Sequence, residues 1–313
     1  MINLRTDLAL EAREILRQGK ENEEIEGIIF EKKEEKDVTI TTVTVETDEA
    51  AKKLNKPKGR YITLESTRLK NMDSEFFKDI SYMLKNELEK IIDLNKESTV
   101  LVAGLGNKDI TPDALGPKVV SQIMVTRHLK QYMPEYIDDD IRTVSAISPG
   151  VLGITGMETG DIIKGVCEKV SPDLIIAIDA LASKSPRRIS TTIQLTDTGI
   201  NPGSGVGNRR EGLNYKNLGV PVVVIGVPTV VDALSIASEL SDSLFDKMNV
   251  DFSKYHSKKE ELLSEMKEND LNLMVTPKEV DSMITRISKV ISNGINLALH
   301  KDIDLEYIES FTF

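Results

Sequence analysis

Two aspartates are the strongest candidates for chemistry, because each follows a run of residues typical of a buried parallel strand. Asp179 comes directly after the apolar segment 174–178, and Asp113 lies in a Gly- and Pro-bounded loop after the segment 99–104. Sites in open α/β sheets form at the carboxyl ends of strands, so the two side chains converge if these strands adjoin. One carboxylate can then deprotonate a water while its protonated neighbour polarises a carbonyl. This chemistry suits peptide hydrolysis; the alternative is that each aspartate only caps a helix.

Other residues near the ends of the predicted strands could bind a substrate or support the pair. They are Asn107, Asp197, Gly205, Asn208, Thr229 and Asp232. The amide and hydroxyl side chains among them could donate hydrogen bonds to an oxyanion. Gly205 belongs to the Gly-x-Gly-x-Gly loop 203–207, whose backbone could contact a peptide. For the two aspartates of this group, the alternative is a capping or surface role.

Several other kinds of site are disfavoured by what the sequence lacks. The segment 104–106 reads Gly-Leu-Gly, but Asp109 stands where a dinucleotide-binding fingerprint needs its third glycine. The three histidines form neither an HExxH motif nor a readable Ser-His-Asp arrangement. The single cysteine, Cys167, lies in a predicted helix and is expected to be a small buried residue. We therefore predict no metal site and no cofactor.

The composition fits a globular protein with an acidic surface. The chain has 313 residues, 40% of them hydrophobic, and a formal net charge of −11. An acidic protein is repelled by nucleic acids and anionic membranes, so direct binding to either is not expected. No apolar stretch approaches the ~20 residues of a membrane span, and the N-terminus has no secretory pattern. Together with the single cysteine, these features predict a cytoplasmic protein.

The elements that must position these residues predict an α/β fold in three regions. They are an N-terminal addition of residues 8–95, a core of residues 96–245 and a helical C-terminal part of residues 246–313. The core alternates wholly apolar strands with helices, which indicates a parallel sheet covered on both faces. The individual predictions are helices at 7–18, 74–94, 117–129, 254–268 and 278–297, a β-hairpin at 27–47, a strand at 61–64 and an added edge strand at 191–195.

Several long segments carry a resemblance to a known family. They are Arg5–Ala9, Val102–Asn107, Thr111–Pro117, Val125–Leu129, Pro149–Gly153, Ala177–Ala182 and Asp197–Asn208. These segments resemble the germination protease family, the endopeptidases that degrade small acid-soluble spore proteins when bacterial spores germinate. The resemblance covers roughly residues 4–300 and is weakest after residue 245. Motifs of this length are far more specific than an isolated glycine pattern.

The resemblance implies an activity and a set of residue roles. The family resembles atypical aspartic-type peptidases with a three-layer core similar to that of hydrogenase maturation proteases, and its two proposed catalytic aspartates fall on Asp113 and Asp179. Its members are made as zymogens that remove their own prosegment, here residues 1–7, by cutting between Asp7 and Leu8. Residues 8–313 would then form the peptidase domain. The resemblance also implies a homotetramer in the spore core that acts on small acid-soluble spore proteins.

Two other functions are compatible with the residues. A metal-dependent maturation protease of the same fold needs a histidine beside the carboxylates, and His128 is the candidate. A non-catalytic peptide-binding module would hold a peptide with the strand-end glycines, leaving Asp113 and Asp179 as helix caps. Activity that survives strong chelation excludes the first function, and cleavage of a small acid-soluble spore protein excludes the second.

Overall fold

The computed structural model describes residues 6–17, 25–138, 140–203, 211–248, 273–301 and 303–311. Within these ranges the strands are β1 (Ile28–Glu35), β2 (Val38–Val45), β3 (Gly59–Glu65), β4 (Thr99–Gly104), β5 (Thr143–Ile147), β6 (Leu174–Ser183), β7 (Thr192–Thr196), β8 (Val222–Asp232) and β9 (Met274–Val275). The helices are α1 (Ala9–Arg17), α2 (Asp48–Leu54), α3 (Ser74–Glu89), α4 (Leu115–Val120), α5 (Arg127–Tyr132), α6 (Leu152–Thr155), α7 (Thr159–Val170), α8 (Tyr215–Leu218), α9 (Ala233–Met248), α10 (Val280–Leu299) and α11 (Leu305–Phe311).

All of these strands belong to one mixed sheet. Its order is β1-β2-β3-β7-β8-β6-β4-β5, and β9 pairs with β8. The pairs β5–β4, β4–β6 and β6–β8 are parallel, while β1–β2, β2–β3, β3–β7, β7–β8 and β8–β9 are antiparallel. The predicted α/β fold with a parallel core is therefore confirmed. The N-terminal strands do not form a separate layer but extend the same sheet.

The parallel strands β4, β6 and β8 are buried on both faces, as their largely apolar sequences predicted, whereas β5 at the edge of the sheet is mostly half-buried. Val100 and Val102 of β4 belong to the apolar cluster on one face, which α3, α4 and α10 cover. Leu101 and Ala103 of the same strand belong to the cluster on the other face, to which α7 contributes Ile163 and the buried Cys167. Because successive side chains of a strand point to opposite faces, this alternation produces a three-layer core.

The N-terminal elements form an apolar cluster of their own against the antiparallel side of the sheet. The predicted hairpin at 27–47 is confirmed as β1 and β2, and β2 consists entirely of Val, Ile and Thr, which suit a pleated strand. Val43 and Val45 of this strand pack with Ala9 of α1 and with Ala50 and Leu54 of α2. Thus α1, which follows the predicted cleavage bond, is anchored to the sheet.

Three predicted elements differ from the structure. The helix expected at 117–129 is wrong as a single element: it is split into α4 and α5. Between them the backbone N–H of Met124 donates to Asn296 (3.0 Å), and the Thr126 hydroxyl donates to the carbonyl of Arg142 (2.5 Å). These tertiary hydrogen bonds replace the helical ones. The segment expected as an added edge strand is instead β7, an interior strand between β3 and β8, and the helix expected at 74–94 ends at Glu89.

The C-terminal part is covered by the structure only in its second half. The helix predicted at 278–297 is confirmed as α10, which packs along α3 and α4 through Ile284, Ile287 and Ile291. The helix predicted at 254–268 lies outside the described residues. Among the described helices, none combines the length and apolar character that a membrane crossing requires.

Candidate active site

A cavity of about 420 Å³ lies at the carboxyl-terminal halves of β4, β6 and β8. Its lining consists of Asp7, Leu105, Gly106, Ile110, Pro112, Asp113, Val151, Thr159, Asp179, Ala180, Ala182, Ile200, Pro202, Gly203, Thr229, Val230, Met274 and Thr276. Apolar side chains dominate this lining, and among the residues that the structure describes there, the carboxylates of Asp7, Asp113 and Asp179 are the charged groups. A cavity of this size and composition can hold a short peptide segment against a few polar groups.

Asp179 projects from the interior of β6 rather than from its end. The strand continues to Ser183 because its second half, which is rich in alanine, keeps pairing with β8 after a register shift at Leu181 and Ala182. The expectation that Asp179 marks a strand tip is therefore wrong. The residue is 7% exposed, and its Oδ1 accepts a hydrogen bond from the N–H of Ala180 at 2.9 Å.

Asp113 is held by the loop that follows β4. It ends the short 3₁₀ turn Thr111–Asp113, and its Oδ2 accepts a hydrogen bond from the N–H of Asn107 at 2.7 Å. Gly106 permits this arrangement, because it has a φ of +105° and a Cβ on it would lie 2.1 Å from the carbonyl oxygen of Asp113. The loop therefore folds so that the Asp113 carboxylate accepts a hydrogen bond from the loop backbone at Asn107.

The two predicted catalytic residues reach the same cavity because their strands adjoin. β4 pairs in parallel with β6, placing Gly104 opposite Ile178, and the N–H of Leu105 donates to the carbonyl of Ile178 at 2.8 Å. The strand adjacency that the sequence argument required is therefore present. Two carboxyl groups lining one partly apolar cavity can act as a general acid and a general base on a water molecule.

Thr229 is the predicted supporting residue that the structure places most clearly in the cavity. It lies within β8 and is 1% exposed, and its Oγ1 has no hydrogen-bond partner among the described residues. Its carbonyl accepts a hydrogen bond from the hydroxyl of Thr276 at 2.9 Å, which fixes the strand there. A buried hydroxyl without a protein partner can donate to a group that enters the cavity.

The other predicted supporting residues do not line the cavity in the described part of the chain. The side chain of Asn107 accepts from the N–H of Asp109 at 3.0 Å, so it stabilises the loop. Asp197 accepts from the N–H of Arg60 at 2.8 Å, and Asp232 accepts from the N–H of Leu234 at 2.8 Å as α9 begins. Gly205 and Asn208 lie outside the described residues.

Asp7, the residue before the predicted cleavage bond, is docked on the strand that carries Asp179. Its N–H donates to the carbonyl of Ala182 at 3.0 Å, and its Oδ2 accepts from the N–H of Ala182 at 2.9 Å. The next residues, Leu8 and Ala9, are fully buried. The bond between Asp7 and Leu8 is therefore held at the edge of the cavity.

Two residues that sequence reasoning missed contact the same peptide bond. The ammonium of Lys56 donates to the carbonyl oxygen of Asp7 at 2.8 Å, and the side-chain amide of Gln194 lies 3.5 Å from this oxygen. Burial lowers the pKa of Lys56, and the nearby carboxylates of Asp7 and Glu11 oppose that shift. Gln194 could have been noticed from the sequence, because it is a polar residue within the predicted strand 191–195. Lys56 could not, because it lies in an ordinary charged stretch of the chain.

The structure gives no support to a metal-centred site within the ranges it describes. Among those residues, no group of three or more His, Cys, Asp or Glu side chains is arranged to hold a metal ion. His128, the candidate ligand for that alternative, lies in α5 and is not among the residues that line the cavity. His300 is buried, and its Nδ1 accepts from the N–H of Arg142 at 3.3 Å, which indicates a structural role.

Comparison with known proteins identifies the family. A family model described as germination protease matches residues 9–268 and 253–312. The chain belongs to the germination protease family. Relatives in this family include the germination proteases of Clostridium perfringens, 47% identical over 99% of both chains, and of Caldanaerobacter subterraneus, 49% identical over 96% of this chain and 95% of the relative. The germination protease of Priestia megaterium is 40% identical over 99% of this chain and 97% of its own length.

Among solved structures, the chain is similar to the NiFe hydrogenase maturation protease HycI from Thermococcus kodakarensis. The two share 14% sequence identity, with a TM-score of 0.34, over 67% of this chain and 98% of that protein. The assignment of function therefore rests on the family. Its membership makes this protein a protease connected with germination, and the cavity with Asp113 and Asp179 is the best candidate for its active site.

Proposed function

We propose that the protein is an endopeptidase that hydrolyses small acid-soluble spore proteins, and that Asp113 and Asp179 activate the attacking water. We further propose that the chain is a zymogen, which cuts its own Asp7–Leu8 bond. One observation carries the proposal: Asp7 lines the same cavity as the two aspartates and is hydrogen-bonded to β6, the strand of Asp179. A bond docked in this way is positioned as a substrate would be.

The chemistry requires one carboxyl of the pair to be ionised and the other protonated. The ionised carboxylate takes a proton from water as the water oxygen attacks the carbonyl carbon, and the protonated carboxyl later delivers a proton to the leaving nitrogen. The pair shares these protons as a unit, so the proposal assigns the roles to the pair. The hydroxyl of Thr229, which lines the cavity and lacks a partner among the described residues, can donate a hydrogen bond to the attacking water or to the tetrahedral intermediate.

We infer that the precursor is inactive because its own chain takes up part of the site. Asp7 lines the cavity and uses the N–H and carbonyl of Ala182, the groups that a substrate strand would need. The segment 1–7 contains Arg5 and Asp7 and so carries no net side-chain charge. Its removal therefore acts sterically or conformationally rather than through charge. If changing Asp7 and Leu8 blocks the cut but leaves full activity on added substrate, this part of the proposal is wrong.

The same arrangement suggests how a substrate is chosen. The sequence Asp7-Leu8-Ala9 places an acidic residue before an apolar one and an alanine, and by resemblance this mimics the cleavage sites of small acid-soluble spore proteins. An extended peptide that adds to β6 at Ala182 would place its acidic side chain where the Asp7 carboxylate lies. We extend the proposal to a homotetramer in the spore core, with residues 8–313 as one peptidase domain, on the basis of the resemblance.

Incubation with a purified small acid-soluble spore protein tests the proposal. Mass spectrometry of the fragments should show cuts that follow acidic residues and precede apolar ones. The cuts should persist in the presence of a strong chelator and should be absent with Asp179→Asn. Cleavage that disappears on chelation and returns with added metal would favour the metal-dependent alternative, and intact substrate with a tightly bound protein would favour a binding module.

A further inference from the structure

Two hydrogen-bond donors that are not among the residues lining the cavity contact the carbonyl oxygen of the proposed cleavage bond. The ammonium of Lys56 lies 2.8 Å from the carbonyl oxygen of Asp7 and 3.5 Å from that of Thr6. Gln194 donates its Nε2 to the Asp7 oxygen at 3.5 Å, while its Oε1 accepts from the N–H of Ala9 at 2.8 Å. The peptide group to be cut is thus contacted on the oxygen that would become negative during hydrolysis.

Lys56 is placed by a rigid local structure. It follows Asn55, which ends α2 with a left-handed conformation at a φ of 52°. The N–H of Lys56 then donates to the carbonyl of Ala51 at 3.1 Å, as in a Schellman motif. On its other side, the Tyr61 hydroxyl donates to the carbonyl of Pro57 at 2.8 Å. The backbone of Lys56 is therefore preorganised, which is the condition for stabilising a transition state without reorganisation.

The lysine is not needed simply to keep the segment in place. Asp7 is held on β6 by a hydrogen bond in each direction with Ala182, and Ala9 is held by Gln194. These contacts lie on both sides of the bond and do not involve Lys56, although one of them is accepted by the Asp7 carboxylate. A cation placed on one carbonyl oxygen in a partly dehydrated site stabilises a negative oxygen far more than a neutral one. The position of the ammonium is therefore better explained by stabilisation of the oxygen during hydrolysis than by a role in holding the segment on β6.

We propose that Lys56 is a catalytic residue for the cut at Asp7–Leu8, with its ammonium and the amide of Gln194 forming the oxyanion site. This inference rests on the proposed function. Water adds to the carbonyl carbon of Asp7, its proton passes to the aspartate pair, and the carbonyl electrons move to the oxygen facing Lys56. The carbon–nitrogen bond then breaks, and the pair returns a proton to the nitrogen of Leu8. The products are the Asp7 carboxyl group and the free amine of Leu8.

The test compares self-processing of Lys56→Met with that of the wild type and of a matched control. Lys58→Met is the control, because Lys58 is exposed and pairs only with the exposed Asp48, at 2.9 Å, in the described structure. Loss of residues 1–7 is followed by mass spectrometry, and because the bond is docked within its own chain we expect first-order kinetics. Removal of one oxyanion donor typically costs about 10²–10³-fold in rate. We expect that loss for Lys56→Met and none for Lys58→Met.

A second measurement separates catalysis from docking. Amide hydrogen exchange at residues 6–12 is measured in an Asp113→Asn chain, which should stay uncut, with and without Lys56→Met. We expect unchanged protection of the Asp7 and Ala9 amides. Processing that slows together with loss of this protection would overturn the oxyanion role. The processing rate of Lys56→Gln, which keeps a neutral hydrogen-bond donor, should lie between those of the wild type and Lys56→Met. This variant replaces Lys56→Met in the test if Lys56→Met does not fold.

The outcomes distinguish this inference from the proposed function. If the wild type loses residues 1–7 and Lys56→Met loses them within about threefold of the same rate, only the role of Lys56 is overturned, because a lost oxyanion donor should cost far more. If the wild type never loses these residues under any condition of incubation, the proposed self-cleavage and the role of Lys56 fail together.

Discussion

Replacing Gly106 with alanine should disable the Asp113 loop while leaving the rest of the fold in place. A Cβ at this position would lie 2.1 Å from the carbonyl oxygen of Asp113 and 2.9 Å from its Oδ1, whereas ordinary contact begins near 3.4 Å. The loop must therefore retreat by about 1.3 Å. A misplacement of about 1 Å in a catalytic group can cost about 10²-fold in rate. We expect a loss of that size in processing at Asp7–Leu8.

The stability cost can be estimated from the same geometry. The left-handed φ of +105° alone costs an alanine about 1–2 kcal/mol, and the overlap with the Asp113 backbone adds to it. We expect Gly106→Ala to lower the free energy of unfolding by about 2–3 kcal/mol. Because domains of this size typically have 5–15 kcal/mol of stability, the variant should still fold.

Two matched controls separate backbone strain from displacement of Asp113. Gly219 also has a positive φ, of +70°, but a Cβ there meets nothing within 4 Å, so Gly219→Ala should cost only about 1 kcal/mol and leave processing unchanged. Gly165, in the exposed part of α7, has neither feature, so Gly165→Ala should be neutral or stabilising. Urea unfolding measures the free energy of unfolding of each variant, and mass spectrometry measures its rate of processing at Asp7–Leu8. Wild-type processing by Gly106→Ala would refute the claim that this loop positions Asp113 for catalysis.

Further predictions concern groups whose surroundings are clear. Thr229→Val should slow processing about 10–100-fold with little change in melting temperature, because the lost hydroxyl has no partner among the described residues; an unchanged rate would exclude the hydroxyl from the reaction. Burial lowers the pKa of His300 to about 4, so its contribution to stability is complete above pH 6.5 and is lost as the pH falls towards 4. His300→Gln should therefore flatten the acid side of the stability profile by about 3 kcal/mol, measured by urea unfolding at several pH values; an unchanged slope would contradict the shift. Arg188 pairs with the buried Glu11 at 3.4 Å and with other carboxylates, so Arg188→Met should cost about 3 kcal/mol, whereas Arg187→Met, at a side chain 86% exposed, should cost almost nothing. Equal effects of the two arginine substitutions on the unfolding midpoint would contradict this assignment.

The core of the fold could be predicted because its signal is local and repeated. Residues 100–104 of β4, 174–178 of β6 and 222–228 of β8 are apolar at every position, which is typical of strands buried on both faces. The placement of Asp113 and Asp179 after such runs was enough to expect them at one edge of the sheet. The length of β6 was harder to predict, because the strand continues past Asp179 through small residues that pair with the second half of β8.

Elements that depend on distant contacts could not be predicted from local pattern. The break between α4 and α5 occurs where Met124 bonds to Asn296 of α10, a partner far along the chain. The interior position of β7 depends on β3, which joins the antiparallel strands to the parallel ones. The same is true of the contacts at the Asp7 carbonyl, since Lys56 and Gln194 come together only when the sheet has formed.

We propose that Asp113 and Asp179 together cut the bond between Asp7 and Leu8. The most direct test is the mass of the purified chain after incubation at mildly acidic pH, for the wild type, Asp113→Asn and Asp179→Asn. We expect only the wild type to lose residues 1–7, at a rate that does not change on dilution because the bond is docked in its own cavity. Processing by either variant would exclude that aspartate from the catalytic role and would make Asp232 and Asp197 the next candidates.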